Sequence, residues 1–153
     1  TVEPYMRRRL HAARVLSTRL LWFESRPPSR YPKEAQAAVT THDLPTLAGA
    51  WTGDDPHLEN GPLLRRRLRL LTGLDPSAPA AAVAAAAYGR LAASPARLLT
   101  VSMEDALAVS ERPNLPGTEG VWPNWRLGLP VLLEEVERSP AVAGVVDRVR
   151  EHR

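Results

Sequence analysis

Three apolar segments of this chain run directly into polar or acidic residues, with helical patterns between them, and this alternation narrows the possible folds more than any other feature. Val15 to Phe23, VLSTRLLWF, is rich in β-branched, aromatic and long apolar side chains. At least its second half reads as a strand, ended by the turn-forming Ser25-Arg26-Pro27-Pro28-Ser29. Ala37-Ala38-Val39-Thr40-Thr41 reads as a short strand that ends in His42-Asp43. Arg97 to Met103, RLLTVSM, returns to strand character before Glu104-Asp105-Ala106-Leu107 turns helical. Strands separated by helices, with polar residues clustered where each strand ends, point to an α/β architecture with its site at the C-terminal ends of the strands. Three strands cannot close a barrel, and no opening strand precedes them, so the expectation is part of a larger domain.

The remaining segments fit that plan. Glu3 to Ala13 places Tyr5, Met6, Leu10 and Ala13 at helical spacing, with Pro4 in the first turn. Pro45 suits the first turn of a helix carrying Leu47, Ala48 and Trp51, which makes Val39 to Gly49 a strand-to-helix junction. Leu58 to Leu71 sets Leu63, Leu64, Leu68 and Leu71 on one face and Arg65, Arg66 and Arg69 largely on the other. Asp75-Pro76-Ser77 is expected to cap a helix through the alanines that follow. Glu111 to Pro123 is a loop with Pro113, Pro116, Gly117 and Gly120. Two amphipathic helices follow Pro130, the last from Ala141 to Glu151. The βα units thus occupy about 1–110, and a site-shaping loop with terminal helices occupies 111–153.

Composition removes several classes of function. The Ala-rich stretch from Ala78 to Ala93 is broken by Pro79, Tyr88, Gly89 and Arg90, so no run of about 18 apolar residues could span a membrane. Thr1-Val2-Glu3-Pro4 lacks the basic and apolar pattern of a signal peptide. With no cysteine, disulfides and thiolate metal sites are excluded, and a cytoplasmic protein is expected. The net charge of +3 could suggest a nucleic-acid partner, yet 19 of the 20 basic residues are Arg scattered from Arg7 to Arg153, alongside 22 Ala and 15 Pro. That is a compositional habit rather than a binding stripe, and no nucleic-acid partner is expected. His11, His42, His57 and His152 show no paired ligand spacing, so neither a metal nor another cofactor is expected.

The residues best suited to chemistry are His42 and Asp43. A carboxylate at a strand end, beside an imidazole, can hold sugar hydroxyls and stabilise positive charge on a sugar ring. By itself the dipeptide also fits a plain cap for the helix that begins near Pro45. Glu104 and Asp105 are adjacent in a helix, so their side chains diverge by about 100° and cannot easily share one reacting bond; they read as helix N-terminal carboxylates supporting a cleft. Asn114-Leu115-Pro116-Gly117-Thr118 has the chemistry of a rigid turn in which Asn114 offers an amide to a hydroxyl. Among the aromatics, Trp22 or Phe23 has the best claim on a cleft, because both end a strand beside Glu24. Trp122 and Trp125 flank Pro123-Asn124 and are expected to pin the final loop.

THDLPTLAGAW (Thr41 to Trp51), followed downstream by NLPGTEGVWPNWR (Asn114 to Arg126), resembles the C-terminal half of 4-α-glucanotransferases of the amylomaltase type. The opening residues and Val15 to Glu24 are also similar to the family, while about 54–94 matches only in helical character. The resemblance implies the C-terminal part of a (β/α)₈ TIM barrel, about three βα units plus C-terminal helices. It also implies transfer of α-1,4-glucan segments between maltodextrins or starch-like glucans, with retention. Such chemistry needs a nucleophilic carboxylate and a second carboxyl about 5 Å away as acid and then base. On this resemblance Asp43 is a third carboxylate, a transition-state stabiliser. His42, Asn114, Pro116, Gly117 and Trp22 become substrate-binding residues, and the nucleophile and acid/base residue fall before Thr1. The alternative is a small stand-alone module binding glucan or, through its Arg content, nucleic acid.

Overall fold

In the computed structural model, which describes residues 3–153, the chain builds one parallel sheet in the order β1-β2-β3. Its strands are β1 (Ser17–Leu20), β2 (Ala35–Ala38) and β3 (Leu98–Leu99), with Ser17 opposite Ala35 and Ala37 opposite Leu99. The expected α/β architecture is present, with differences of position, and β3 covers only two residues of the expected Arg97 to Met103. β2 stops at Ala38, so His42 and Asp43 lie beyond the strand, in a turn closed by the Leu44 N–H on the Thr41 carbonyl at 3.1 Å. β1 stops at Leu20 because the chain turns there: the N–H groups of Phe23 and Glu24 both return to the Leu20 carbonyl.

The helices are α1 (Pro4–Ala12), α2 (Leu47–Thr52), α3 (Gly61–Thr72), α4 (Ala80–Ala92), α5 (Met103–Ala106), α6 (Leu133–Val136) and α7 (Pro140–Arg150). Three of them, α2 to α4, cross between β2 and β3. The β1-to-β2 connection holds only a 3₁₀ turn at Pro28–Arg30 instead of a helix, since Pro27, Pro28 and Pro32 deprive it of the amide donors a helix needs. Of the two helices expected after Pro130, α6 is a single turn and α7 is the full one.

Alternation along β2 divides the molecule into two sides. Ala35, Ala37 and Val39 are fully buried and point into the helical layer, where they meet a core of Leu47, Trp51, Leu68, Val83, Tyr88 and Val145. Gln36, Ala38 and Thr40 point the other way, beside Thr18 and Leu20 on one flank and Thr100 and Ser102 on the other. That second face carries hydroxyls and an amide, and Gln36 Nε2 donates to Thr100 Oγ1 across the strands at 2.6 Å.

The helix α3 follows its expected periodicity except at one residue. Leu64 and Leu68 are buried, but Leu63 is 62% exposed, because one residue from Leu64 turns it about 100° out of the apolar stripe. On the boundary of that stripe, Arg67 donates to the carbonyls of Leu21 at 2.6 Å, Trp22 at 2.7 Å and Glu24, satisfying backbone acceptors released where β1 ends. Asp75 caps no helix. Its carboxylate takes the N–H and hydroxyl of Ser77, which lowers its pKa, and α4 starts after Pro79 instead. In α1, Tyr5, Met6 and Leu10 remain exposed.

The long loop after α5 is fixed by one buried ion pair. Arg112 Nε donates to Asp55 Oδ2 at 2.8 Å, Nη2 reaches the same oxygen, and both side chains are nearly inaccessible to solvent. Asp55 Oδ1 meanwhile accepts from the His57 N–H at 3.0 Å, and Trp122 Nε1 donates to the Arg112 carbonyl at 3.1 Å. Removing one member of such a pair strands the other charge, so Arg112→Met should cost about 3–5 kcal/mol in urea denaturation. Leu68→Ala should cost about 2–5 kcal/mol, whereas Leu63→Ala should change stability by less than about 0.5 kcal/mol. Equal losses at the two leucines would contradict the face assignment of α3.

Candidate functional site

A chain leaving a sheet must find new partners for its backbone polar groups. After β2 these come from four directions. The Pro45 carbonyl accepts from Thr40 Oγ1 and from Trp22 Nε1, each at 2.9 Å. Thr46 caps α2, its hydroxyl oxygen accepting from the Gly49 N–H at 3.0 Å and its hydroxyl donating to the Ser110 carbonyl at 2.9 Å. Asp105 Oδ1 accepts from the Leu47 N–H, the first of α2, at 2.7 Å. The His42 carbonyl accepts from the Asn114 N–H at 3.2 Å. Pro45 therefore precedes the cap rather than entering the first turn, and the capping role open to Asp43 belongs to Thr46.

Freed from capping, the Asp43 carboxylate faces side chains. Its Oδ1 accepts from Asn114 Nδ2 at 2.6 Å and lies 3.3 Å from His42 Nε2. No hydrogen bond among the described residues uses Oδ2, and the two side chains stay about half exposed. Trp125 sets its indole against His42, with ring centroids 5.0 Å apart and planes tilted by 49°. Residues 71 positions apart are thus joined through the amide of Asn114 and the carboxylate of Asp43.

His42 and Trp125 border a cavity of about 520 Å³ on the hydroxyl-bearing sheet face. Thr18, Gln36, Thr40, Thr100 and Ser102 line it, along with His42, Glu104 and Trp125. His42 reaches its wall; Asp43 stands beside His42, turned toward Asn114. Hydroxyls and amides arrayed beside an indole are groups that hydrogen-bond sugar hydroxyls and cover the apolar face of a pyranose.

The other sequence candidates divide. Pro116 and Gly117 are exposed in a turn with Gly117 at φ +78°, where Thr118 Oγ1 donates to the Leu115 carbonyl at 2.6 Å. They shape the path of the loop, while Pro113 supplies the proline on the cavity wall. Trp22 does not face the cavity: it is 7% exposed and supports the turn from beneath through Pro45, because its side chain follows the turn at Leu20 into the core. Phe23 is exposed and away from the wall. Trp122 pins the loop as expected, but Trp125 does not. With φ +61° and its N–H on the Pro113 carbonyl at 2.9 Å, it is presented outward onto His42. Nothing in PNWR distinguishes it from a core tryptophan.

Glu104 and Asp105 separate as adjacent helical residues must: Glu104 joins the cavity wall and Asp105 is buried. Besides the Leu47 amide, Asp105 accepts from Tyr88 Oη at 2.6 Å. Burial raises its pKa, opposed by those two hydrogen bonds and one with Ser102. Burial also lifts the Tyr88 phenol well above its usual value, with the Asp105 charge adding to the effect. A Cβ on Gly49 would come within 2.5 Å of the Ser110 carbonyl, so glycine is required there for α2 and the segment after α5 to touch.

The similarities of this chain to known proteins point to one family. Residues 1–133 match the family model described as 4-alpha-glucanotransferase. The chain is 32% identical, over 189 aligned residues, to 4-alpha-glucanotransferases of Mycobacterium tuberculosis and Mycobacterium bovis; the match takes in 98% of this chain and 26% of theirs. The chain thus spans about a quarter of the length of these curated relatives. In fold it is similar to the amylomaltase of Corynebacterium glutamicum, with a TM-score of 0.82 at 23% identity, covering 97% of this chain and 27% of that one. It is also similar to the Streptococcus agalactiae amylomaltase solved in complex with acarbose, with a TM-score of 0.74 at 17% identity, covering 99% of this chain and 30% of that one. With the family model running through both the His42-Asp43 turn and the Asn114 loop, the chain belongs to the 4-alpha-glucanotransferase family.

Proposed function

We propose that this chain supplies the charge-stabilising part of the active site of a cytoplasmic 4-α-glucanotransferase that transfers α-1,4-glucan segments between maltodextrins or starch-like glucans. In this reading it is the C-terminal part of a (β/α)₈ barrel. About 1–110 forms βα units, and 111–153 forms the site-shaping loop and the terminal helices. The observation that carries the reading is the Asp43 carboxylate, engaged through Oδ1 by Asn114 and His42 with Oδ2 unbonded among the described residues, beside the His42 side chain that lines a hydroxyl-bearing cavity.

The chemistry follows from that arrangement. Glycosyl transfer passes through an oxocarbenium-like sugar with positive charge spread over its anomeric carbon and ring oxygen. A carboxylate already oriented by an amide stabilises that charge without reorganising as it develops. Asp43 is that carboxylate, and His42 hydrogen-bonds a hydroxyl of the same sugar. Asn114 orients Asp43, the Pro116-Gly117 turn directs the loop that carries Asn114, and Trp22 fixes the turn from below. Retention requires a nucleophile and an acid/base residue in addition, and these are assigned to protein outside the 153 residues.

The 153-residue chain alone should therefore release no glucose and form no longer oligosaccharides from maltotriose, and substantial turnover would sink the division of labour. In the enzyme that contains it, Asp43→Asn should lower kcat by roughly a hundredfold or more, the loss expected when a preorganised electrostatic partner is removed. Unchanged kcat would remove Asp43 from the mechanism.

A further inference from the structure

The buried carboxylate of Asp105 touches no part of the cavity, yet it is the only fully buried charged side chain among the described residues and has no cationic partner there. Burial of an unpaired carboxylate is costly, so a compensating gain is expected where one is found. Both of its oxygens receive hydrogens: Oδ1 from the Leu47 N–H and Oδ2 from Tyr88. Its own N–H goes to Ser102 Oγ at 3.2 Å. The first of these bonds leaves the element that bears Asp105. It satisfies an orphan amide at the start of α2, four residues after Asp43, where the partial positive charge of the helix end favours an anion.

We infer that Asp105 is a positioning residue for the catalytic turn, joining the start of α2 to α4 and α5 so that Asp43 stays in the orientation shared with Asn114. The inference rests on the role proposed above for Asp43. The turn between Thr41 and Leu47 is anchored at one end by the sheet and at the other by α2; if the start of α2 drifts, Pro45, Thr46 and the Asp43 carboxylate move with it. Thr46 adds a parallel anchor on Ser110, and Gly49 keeps the two segments at contact distance. Tyr88, rooted in the core of α4, stops the carboxylate from rotating about its own χ angles. Asparagine retains an acceptor for the Leu47 amide and is nearly isosteric, whereas alanine leaves both the amide and the phenol without a partner.

The test compares Asp105→Ala, Asp105→Asn and Asp43→Asn in the enzyme that contains this chain, assayed with maltotriose well below each variant's unfolding temperature. Asp105→Ala should lower kcat about tenfold or more with KM within about twofold, and Asp105→Asn should restore kcat to within about threefold of the parent. A folded Asp105→Ala enzyme with unchanged kcat overturns the inference while leaving Asp43 in place. Equal losses in the Asn and Ala variants also overturn it, because the acceptor would then not be what matters. If Asp43→Asn is harmless, the reading of Asp43 itself fails, whatever Asp105 does. Should Asp105→Ala not fold, Tyr88→Phe decides, since it removes the donor to Oδ2 and, besides that, a long 3.4 Å contact from the Ser102 N–H: a severalfold fall in kcat supports the inference, and an unchanged kcat overturns it.

Discussion

Hydrogen bonds to the backbone between Thr41 and Leu47 hold the rest of the site in place. Within a parallel sheet each strand satisfies its neighbour, but the chain leaves the sheet after Ala38, the last paired residue of β2, and then has carbonyls and amides with no ladder to join. Trp22, Thr40, Thr46, Asp105 and Asn114 each serve that stretch or satisfy it from the side. They come from β1's turn, from the stretch itself, from α5 and from the late loop, so the turn is where separate parts of the chain meet. Its conformation is therefore a tertiary property, and the polar residues at 42 and 43 are released for contact with a ligand.

The late loop plays the complementary part. The buried Asp55–Arg112 pair, together with the Thr46–Ser110 and Asn114–His42 bonds, brings Asn114 back to a residue 71 positions earlier. The side chains of the pair are nearly inaccessible to solvent. Trp125, carried by the same loop, is exposed on the cavity wall, and Asn114 reaches Asp43. A rigid anchor beneath and adaptable polar groups above is an arrangement suited to a sugar, whose many hydroxyls demand exact angles but contribute little apolar area. The sheet face agrees with this. Incomplete parallel sheets are expected to expose an apolar inner surface; here Thr18, Gln36, Thr40, Thr100 and Ser102 set hydroxyls and an amide among apolar residues such as Leu20 and Ala38.

Much of this was legible in the residues. The three strand segments, the amphipathic α3, the terminal α7 and the turn character of Asn114 to Thr118 follow from local apolar and β-branched content, 3.6-residue periodicity and turn chemistry. What local patterns leave out is the partner of each backbone group. Val39 to Thr41 is as β-prone as Ala35 to Ala38, and only the register against β1 and β3 ends the strand at Ala38. Leu63 and Leu64 are both plausible stripe residues until the packing of α3 chooses between them. Asp105 resembles a helix-start acid in the sequence; that it caps a different helix, 58 residues away, follows only from the fold. Trp22 and Trp125 exchanged their expected places for the same reason: aromatic character does not say which way the chain turns next to it.

A crystal structure of the enzyme containing this chain, with a maltooligosaccharide bound, tests the central claim most directly. The expected result is a glucose ring over the sheet-face cavity, with Asp43 Oδ2 within hydrogen-bond reach of its ring oxygen or anomeric carbon, His42 on a hydroxyl, Trp125 against the sugar and the Asn114 contact to Oδ1 preserved. A sugar bound elsewhere, with Asp43 still contacted only by Asn114 and His42, would contradict it.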